Sequence, residues 1–482
     1  MKNIAATIIF DGAALNRDEK IGGNIQSIKK LNVEGSLKSF ISRPAIRHYL
    51  FNTLVKAHPG DWKPAKVTGQ GTVAQFDITE DDIFSSAELD AFGYMFTIEK
   101  EMSITRKSPV GITKAISISN YNQDMVFYAN HDLVQRANQD GLNITPNPFQ
   151  REEHQSLYKL SFTIDTEIFG KDVWVLKNEP KYKNSDLTIE LAKPASIFIT
   201  NADEKEIEDE QEKCYSIKKN NKEVGVIYIN DKLLTVSKDL MEEKSEKKKG
   251  ESEGRKYLQF KTEFIKEKKS EKEETEKEDK ENQKKKKGKK PNIKIEDYES
   301  IQKDDSEYYT FSLTRIPEYD LANKELKLET GIVKNINNAF KISDDTYEIK
   351  ENNKKIGTIK IENINNAYKV TFELDDSIKK NRIKQILDAI HNGLVSHSSG
   401  EDNTIVPLFM IAGEVIVPSP VFHSYIDVVD GKIIGLNDCL NNSWLSGNVS
   451  FILKTDRLKA EVNNNNITND WSEFICKLGL GE

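Results

Sequence analysis

The side chains best suited to chemistry fall in one stretch, from Asn16 to Leu54. It carries Asn16-Arg17, the turn Gly22-Gly23-Asn24, the pair Lys29-Lys30, then Ser42-Arg43-Pro44 and Arg47. Ile46, Leu50 and Leu54 recur every fourth residue, which predicts a helix with one apolar face. Ser42 suits its N-cap and Pro44 is tolerated in its first turn. Arg43 and Arg47 then stand one turn apart on another face, beside the free backbone N–H groups of a helix start. Guanidinium groups grip phosphate in a two-pronged geometry, and paired glycines let backbone approach a ligand. The chemistry expected is the holding of phosphates rather than bond breaking. Two arginines alone fit a merely solvated face better; Asn16, Arg17, Lys29 and Lys30 beside them tip the balance toward phosphate.

Other reactive patterns are weak. Thr68-Gly69-Gln70-Gly71 lacks the Gly-Lys-Ser/Thr ending of a phosphate loop, and no Gly-x-Ser-x-Gly occurs. The histidines show no metal-ligand spacing, so neither a metal nor a cofactor is expected. The three cysteines, Cys214, Cys439 and Cys476, suit neither a disulfide framework nor a zinc set, as expected in a reducing compartment. No apolar run reaches the length of a membrane helix, and the start of the chain reads as a strand rather than a signal segment. A cytoplasmic protein with no membrane partner is the expectation. The net charge is −8, yet residues 1–60 hold nine Lys/Arg against four Asp/Glu. That local excess suits docking of a polyanion.

These residues must be positioned by a larger frame. At 482 residues and 31% charged, the chain has room for several domains and for some disorder. Residues 1–177 and 371–482 read as globular, and 178–370 as a region rich in Lys, Asn, Glu and Ile and poor in large apolar clusters. Ile4 to Phe10 predicts a strand. Gly111 to Ser119 alternates, with Ile112, Ile116 and Ile118 on one face, and Leu160, Phe162 and Ile164 alternate again. Between those strands, Asn120 to Ser156 reads as an excursion holding a short helix capped by Asn130 and a turn at Pro146 and Pro148. A second long helix is expected from Asp375 to Asn392, with Ile383, Ile386, Leu387 and Ile390 inward and Gly393 as its stop. A Ser398-Ser399-Gly400 turn and a strand-like run from Pro407 to Val417 follow. Residues 241–290 hold 33 charged residues in 50, a composition that predicts disorder. Flanking them, Tyr215–Asp231 and Tyr347–Asn363 share a Tyr-x-Ile-Lys-x-Asn-Asn-Lys-x-(Val/Ile)-Gly-x-Ile-x-Ile pattern. Each predicts a β-hairpin, and the two suggest one inserted β-subdomain.

With these residues in view, the chain resembles the backbone subunit of type I CRISPR Cascade complexes, of the DevR type and the I-B subtype. The likeness rests on Leu15-Asn16-Arg17-Asp18, the Gly/Asn-rich turn and Ile41-Ser42-Arg43. It continues through Ile104-Thr105-Arg106-Lys107-Ser108-Pro109-Val110-Gly111, Tyr158 to Asp165, and Ile378 to Leu408. The resemblance implies an α+β fold: a modified ferredoxin-like, RRM-like palm with thumb and finger insertions. It also implies copies of the chain coating a guide RNA in a helical filament beside other Cascade subunits, with target DNA read by pairing to the guide. Carried over by position, Asn16, Arg17, Asn24, Lys29, Ser42, Arg43, Arg47, Arg106 and Lys107 form the RNA-binding set. The Asn120–Ser156 excursion matches the thumb, with Met125, Phe127 and Leu133 as candidate wedges. RNA-cleaving relatives place an aspartate after the paired glycines, where Asn24 stands here. An amide is no carboxylate ligand or base, so no catalysis is expected. The alternative is a metal-dependent ribonuclease using Asp18. A transcriptional regulator is a third reading, for which no helix-turn-helix pattern is visible.

Overall fold

The computed structural model describes the chain except for residues 14–16, 22–24, 69–73, 99–101, 147, 193–194, 208–211, 247–254, 267–291, 296–297, 304–305, 314–315, 331, 399–400, 463–466 and 482. Two compact units result. The first comprises residues 1–175, 337–364 and 369–482, and the second 176–336 and 365–368.

The first unit is built on strand Asn3–Ala13 (β1), buried without interruption from Asn3 to Phe10. Two hairpins follow, Arg17–Ile21 (β2) with Ile25–Ile28 (β3), and Lys30–Val33 (β4) with Ser36–Ile41 (β5). Next come helix Arg43–Ala57 (α1), the short helix Ala87–Phe92 (α2), and strands Val110–Ile112 (β6) and Ala115–Ser117 (β7). The excursion contributes Asp124–Tyr128 (β8), His131–Gln139 (α3) and Phe149–Glu153 (β9). The chain returns through Gln155–Ile164 (β10), helix Asp376–Asn392 (α4), Pro407–Val415 (β11) and Leu445–Leu453 (β12).

A strand buried on both faces belongs in the middle of a sheet. β1 lies between β10 and β11, antiparallel to both, in the order β4-β5-β7-β10-β1-β11-β12, with β6 also on β10. The side chains of β1 alternate between two cores. Ala6, Ile8 and Phe10 meet Ile46, Leu50 and Leu54 of α1 and Ile383, Ile386, Leu387 and Ile390 of α4. Ala5 and Ile9 join Phe409, Ile411, Phe422 and Ile426 on the other face. Burying each large apolar side chain is worth roughly 1.5–3 kcal/mol, so both faces of the sheet are committed to packing.

Both long helices start and stop where their sequences dictate. Asp375 accepts from the Ser377 backbone N–H, and Gly393 ends α4 at a φ of 115°. Ser42 sits at the N-cap of α1, but its hydroxyl does not bond back to the helix. The Gly111–Ser119 stretch departs from simple alternation. Ile112 faces Phe162 while Ile116 faces Lys159, so four residues on this side span three on β10. The extra residue at Thr113-Lys114 bulges the strand and flips its faces. Val110, Ala115 and Ser117 are buried, and Ile112, Ile116 and Ile118 are only half-buried.

The second unit corrects two expectations. Its region is not poor in apolar clusters: Ile217, Ile227, Leu234, Val236, Leu258, Phe260, Phe311 and Leu328 share one core. Part of the charged segment is ordered, because Met241–Glu246 pairs with Arg255–Phe260 and then Phe264 and Ile265 turn inward. Composition averaged over fifty residues hides that small apolar group; residues 247–254 and 267–290 of this segment lie outside the described set. The two similar hairpins are real and share their geometry. Asn220-Asn221 and Asn352-Asn353 all take positive φ, and both hairpins shift register after an Ile–Gly pair, Ile217↔Gly225 and Ile349↔Gly357. They do not form one subdomain. Lys213–Lys219 and Lys222–Asn230 lie in a six-stranded sheet of the second unit. Thr346–Glu351 and Lys354–Ile364 lie in a five-stranded sheet of the first.

Candidate nucleic-acid interface

The predicted site residues separate into three groups. Asn16, Gly22, Gly23, Asn24 and the Ser399-Gly400 turn lie outside the described residues. Around them, β2 and β3 form a hairpin that joins β8 and β9 in a four-stranded sheet, with β3 parallel to β9. The loop expected to lead to α1 and the excursion expected as the thumb therefore share one small sheet.

The second group is tied up inside the protein. Arg106 is buried, its guanidinium clamped on Asp90 (Nη2–Oδ1 2.8 Å), and it donates to the carbonyls of Leu89, Asp90, Ile168 and Lys171. Arg382 approaches the other oxygen of Asp90 at 3.0 Å. A guanidinium with its donors spent on buried acceptors has none left for phosphate, so Arg106 leaves the binding set. Arg47 is bound to the buried Glu88 (Nη2–Oε1 2.9 Å) and lies over the Phe92 ring, so its charge is largely cancelled. Arg17 bonds the Glu152 carbonyl and the Glu153 carboxylate, and Lys30 pairs with Glu152 at 2.7 Å. Much of the early positive excess is thus neutralised by acids later in the chain, which a count over residues 1–60 cannot reveal.

The third group faces solvent. Arg43, at the first position of α1, and Lys107 are exposed, and neither forms an ion pair with a described residue. Lys29 of the loop between β3 and β4 is half-buried. The structure also brings up residues that the sequence did not single out. Arg43 lines a groove with Ser42, Pro44, Ile112, Thr113, Lys114, Ile116 and His423. Lys114, at the bulge, is exposed and likewise without an ion-pair partner among the described residues. Lys159 stands opposite Ile116 on β10, donating to the Ile426 carbonyl at 2.7 Å. Burial pushes its pKa down, and so does the nearby charge of Lys38. His423 is held at about 4 by burial and by Lys159, hence neutral at physiological pH. Its Nδ1 meets Ser161 Oγ at 2.8 Å, and that hydroxyl meets Thr7 Oγ1 at 2.7 Å. Arg43 and Lys114 thus line the groove, while Lys159, on the neighbouring strand, lies between the charges of Lys38 and Asp427. The signal for Lys114 was the break in alternation at Thr113; Lys159 and His423 had none within reach of spacing.

The excursion carries the other exposed feature. Asn130 Oδ1 accepts from the Leu133 N–H, capping α3, yet no residue of α3 is buried. Met125, Phe127, Leu133, Leu142 and Ile144 are all exposed, Phe127 at 61%. So much bare apolar surface on one small element marks a contact site.

A sequence model of the CRISPR-associated negative auto-regulator DevR/Csa2 family matches residues 4–433. The chain belongs to the DevR/Csa2 family. The match runs through the inserted second unit as well as most of the first. No curated protein matches. Among solved structures, similarity is found to a chain of a "CRISPR RNA-guided surveillance complex, pre-nicking", at 10% identity and a TM-score of 0.26, covering 35% of this chain and 66% of that one. A chain of a "CRISPR RNA-guided surveillance complex" gives 10% identity and a TM-score of 0.23, covering 39% and 69%. Among the described residues, no helix is long and apolar enough to cross a membrane.

Proposed function

We propose that this protein is the guide-RNA-binding backbone subunit of a type I Cascade-like surveillance complex, of the I-B subtype. The observation that carries this reading is the groove at the start of α1. There Arg43 and Lys114, without ion-pair partners among the described residues, sit together on a DevR/Csa2 scaffold, with Lys159 on the neighbouring strand opposite Ile116. In β1, α1, β6/β7, β10, α4 and β11 we read the βαββαβ order of a ferredoxin-like palm. The open sheet face on which RRMs stack bases is covered here by Phe422, Ile426 and their neighbours. Phosphates are therefore met at the end of the sheet, by backbone contacts that do not depend on sequence. Asn16, Arg17, Asn24, Lys29, Ser42 and Lys107 extend this interface; Arg47 borders it and Arg106 stiffens the scaffold behind it. The excursion is the thumb, and its bare Phe127 and Leu133 meet another copy of the chain along the strand. Guide RNA, target DNA paired to it, and further Cascade subunits are the partners. With Asn24 in place of an aspartate, the subunit holds RNA without cutting it.

Salt dependence tests the assignment. Binding of single-stranded RNA weakens with salt by a slope of about 0.7 per phosphate contacted, so Arg43→Glu with Lys114→Glu should lower that slope by about 1.4. An unchanged slope in a folded double variant contradicts the interface.

A further inference from the structure

The groove beside Arg43 has a second character that phosphate binding does not explain. Its floor is carbon: Pro44 in the first turn of α1, Ile112 at the rim of the main core opposite Phe162, and Ile116, which the bulge at Thr113-Lys114 places on the other face of the sheet opposite Lys159; both isoleucines are half-buried. One wall is His423, fixed through Nδ1 to the Ser161–Thr7 hydroxyl pair. We propose that this slot receives one nucleobase of the bound strand, unstacked from its neighbours, while its phosphates sit on the Arg43 and Lys114 rim. The proposal rests on the RNA-binding reading above and adds a ligand group to it.

Charge selects the occupant. A buried apolar side chain from a protein partner would fill the floor, but it would leave Arg43 and Lys114 desolvated with nothing opposite them, which is costly. A nucleotide brings both parts together, a flat ring for the carbon floor and an anion for the rim. The imidazole of His423, uncharged at physiological pH, offers a ring for stacking without competing for the phosphate. Thr113 Oγ1 already accepts the Ser161 N–H at 2.9 Å, so the floor provides little hydrogen-bond readout. The slot should therefore accept any base, discriminating a base from its absence rather than one base from another.

The test compares a single-stranded RNA with an abasic strand of the same sugar–phosphate backbone, bound to the full chain and to Ile116→Gln. The wild-type protein should prefer the base-bearing strand by about tenfold or more, and Ile116→Gln should lose most of that preference while binding the abasic strand as before. Equal binding of both strands to the wild type, or an undiminished preference in Ile116→Gln, overturns the slot and leaves RNA binding standing. Failure of the wild type to bind either strand instead overturns the RNA reading itself. Should Ile116→Gln not fold, photocrosslinking of 4-thiouridine RNA to the wild type decides. Adducts within 110–118 or 420–426 support the slot, and adducts confined elsewhere refute it.

Discussion

Two aspartate-bound arginines show why residue type alone misleads. Arg106 was placed among RNA ligands by position, from the family resemblance, yet it and Arg382 grip the same buried Asp90. Removing one partner of such a cluster strands a charge away from water. Arg106→Ala should accordingly cost about 3–5 kcal/mol of stability, measured by denaturant unfolding; a loss below 1 kcal/mol would show the cluster to be dispensable. Arg47 teaches the same lesson less severely: Arg47→Glu would set a second carboxylate against buried Glu88, so it cannot serve as a clean binding variant. His423 makes a pH prediction. Its pKa is lowered from the ordinary 6.5 to about 4 by burial and Lys159. Between those values the unfolded chain binds a proton that the folded chain refuses, so stability falls as pH drops from 6.5 toward 4. His154 and His391 are shifted the same way and add to it. Unfolding midpoints at neutral pH and near pH 4.5 should show a smaller drop in His423→Gln than in the wild type; equal drops would contradict the assignment.

At the scale of elements, local signals and long-range ones parted company. β1, α1, α3 and α4 were legible because period and caps are local: Ile46, Leu50 and Leu54, or Asn130 before His131, need only their neighbours in sequence. Both Asn-Asn hairpins were legible for the same reason, since positive φ at two successive residues has few sequence solutions. Their placement in different sheets was not, because strand partners distant in sequence decide it. The Gly111–Ser119 stretch was read as placing Ile112, Ile116 and Ile118 on one face, but one extra residue at Thr113-Lys114 reverses the period-two pattern, so that Ile112 and Ile116 lie on opposite faces. The same bulge carries Lys114 at the candidate site, so that site was only partly visible. The charged stretch after residue 241 hides a hairpin whose Phe260 is fully buried. Phe260→Ala should cost about 3–5 kcal/mol in the second unit, read from thermal melting, whereas an unaltered melt would mean that this hairpin does not belong to the core.

For the molecule as a whole, the distribution of unpaired charge carries the account, not its total. A chain of net charge −8 holds a polyanion only where its cations are not already answered by its own acids. Arg17, Lys30 and Arg47 are answered by Glu153, Glu152 and Glu88. Arg43 and Lys114 are not, among the described residues, and they flank one groove. That groove was invisible to any window of sequence, since it joins residues 42–44, 112–116 and 423. The most direct measurement of the central claim is the nucleic acid that accompanies the purified protein. The wild type should carry RNA of a defined length, visible in its absorbance ratio and on a denaturing gel. Arg43→Glu with Lys114→Glu should be folded and free of it. A folded double variant that retains the same RNA, or a wild type that carries none, would contradict the account.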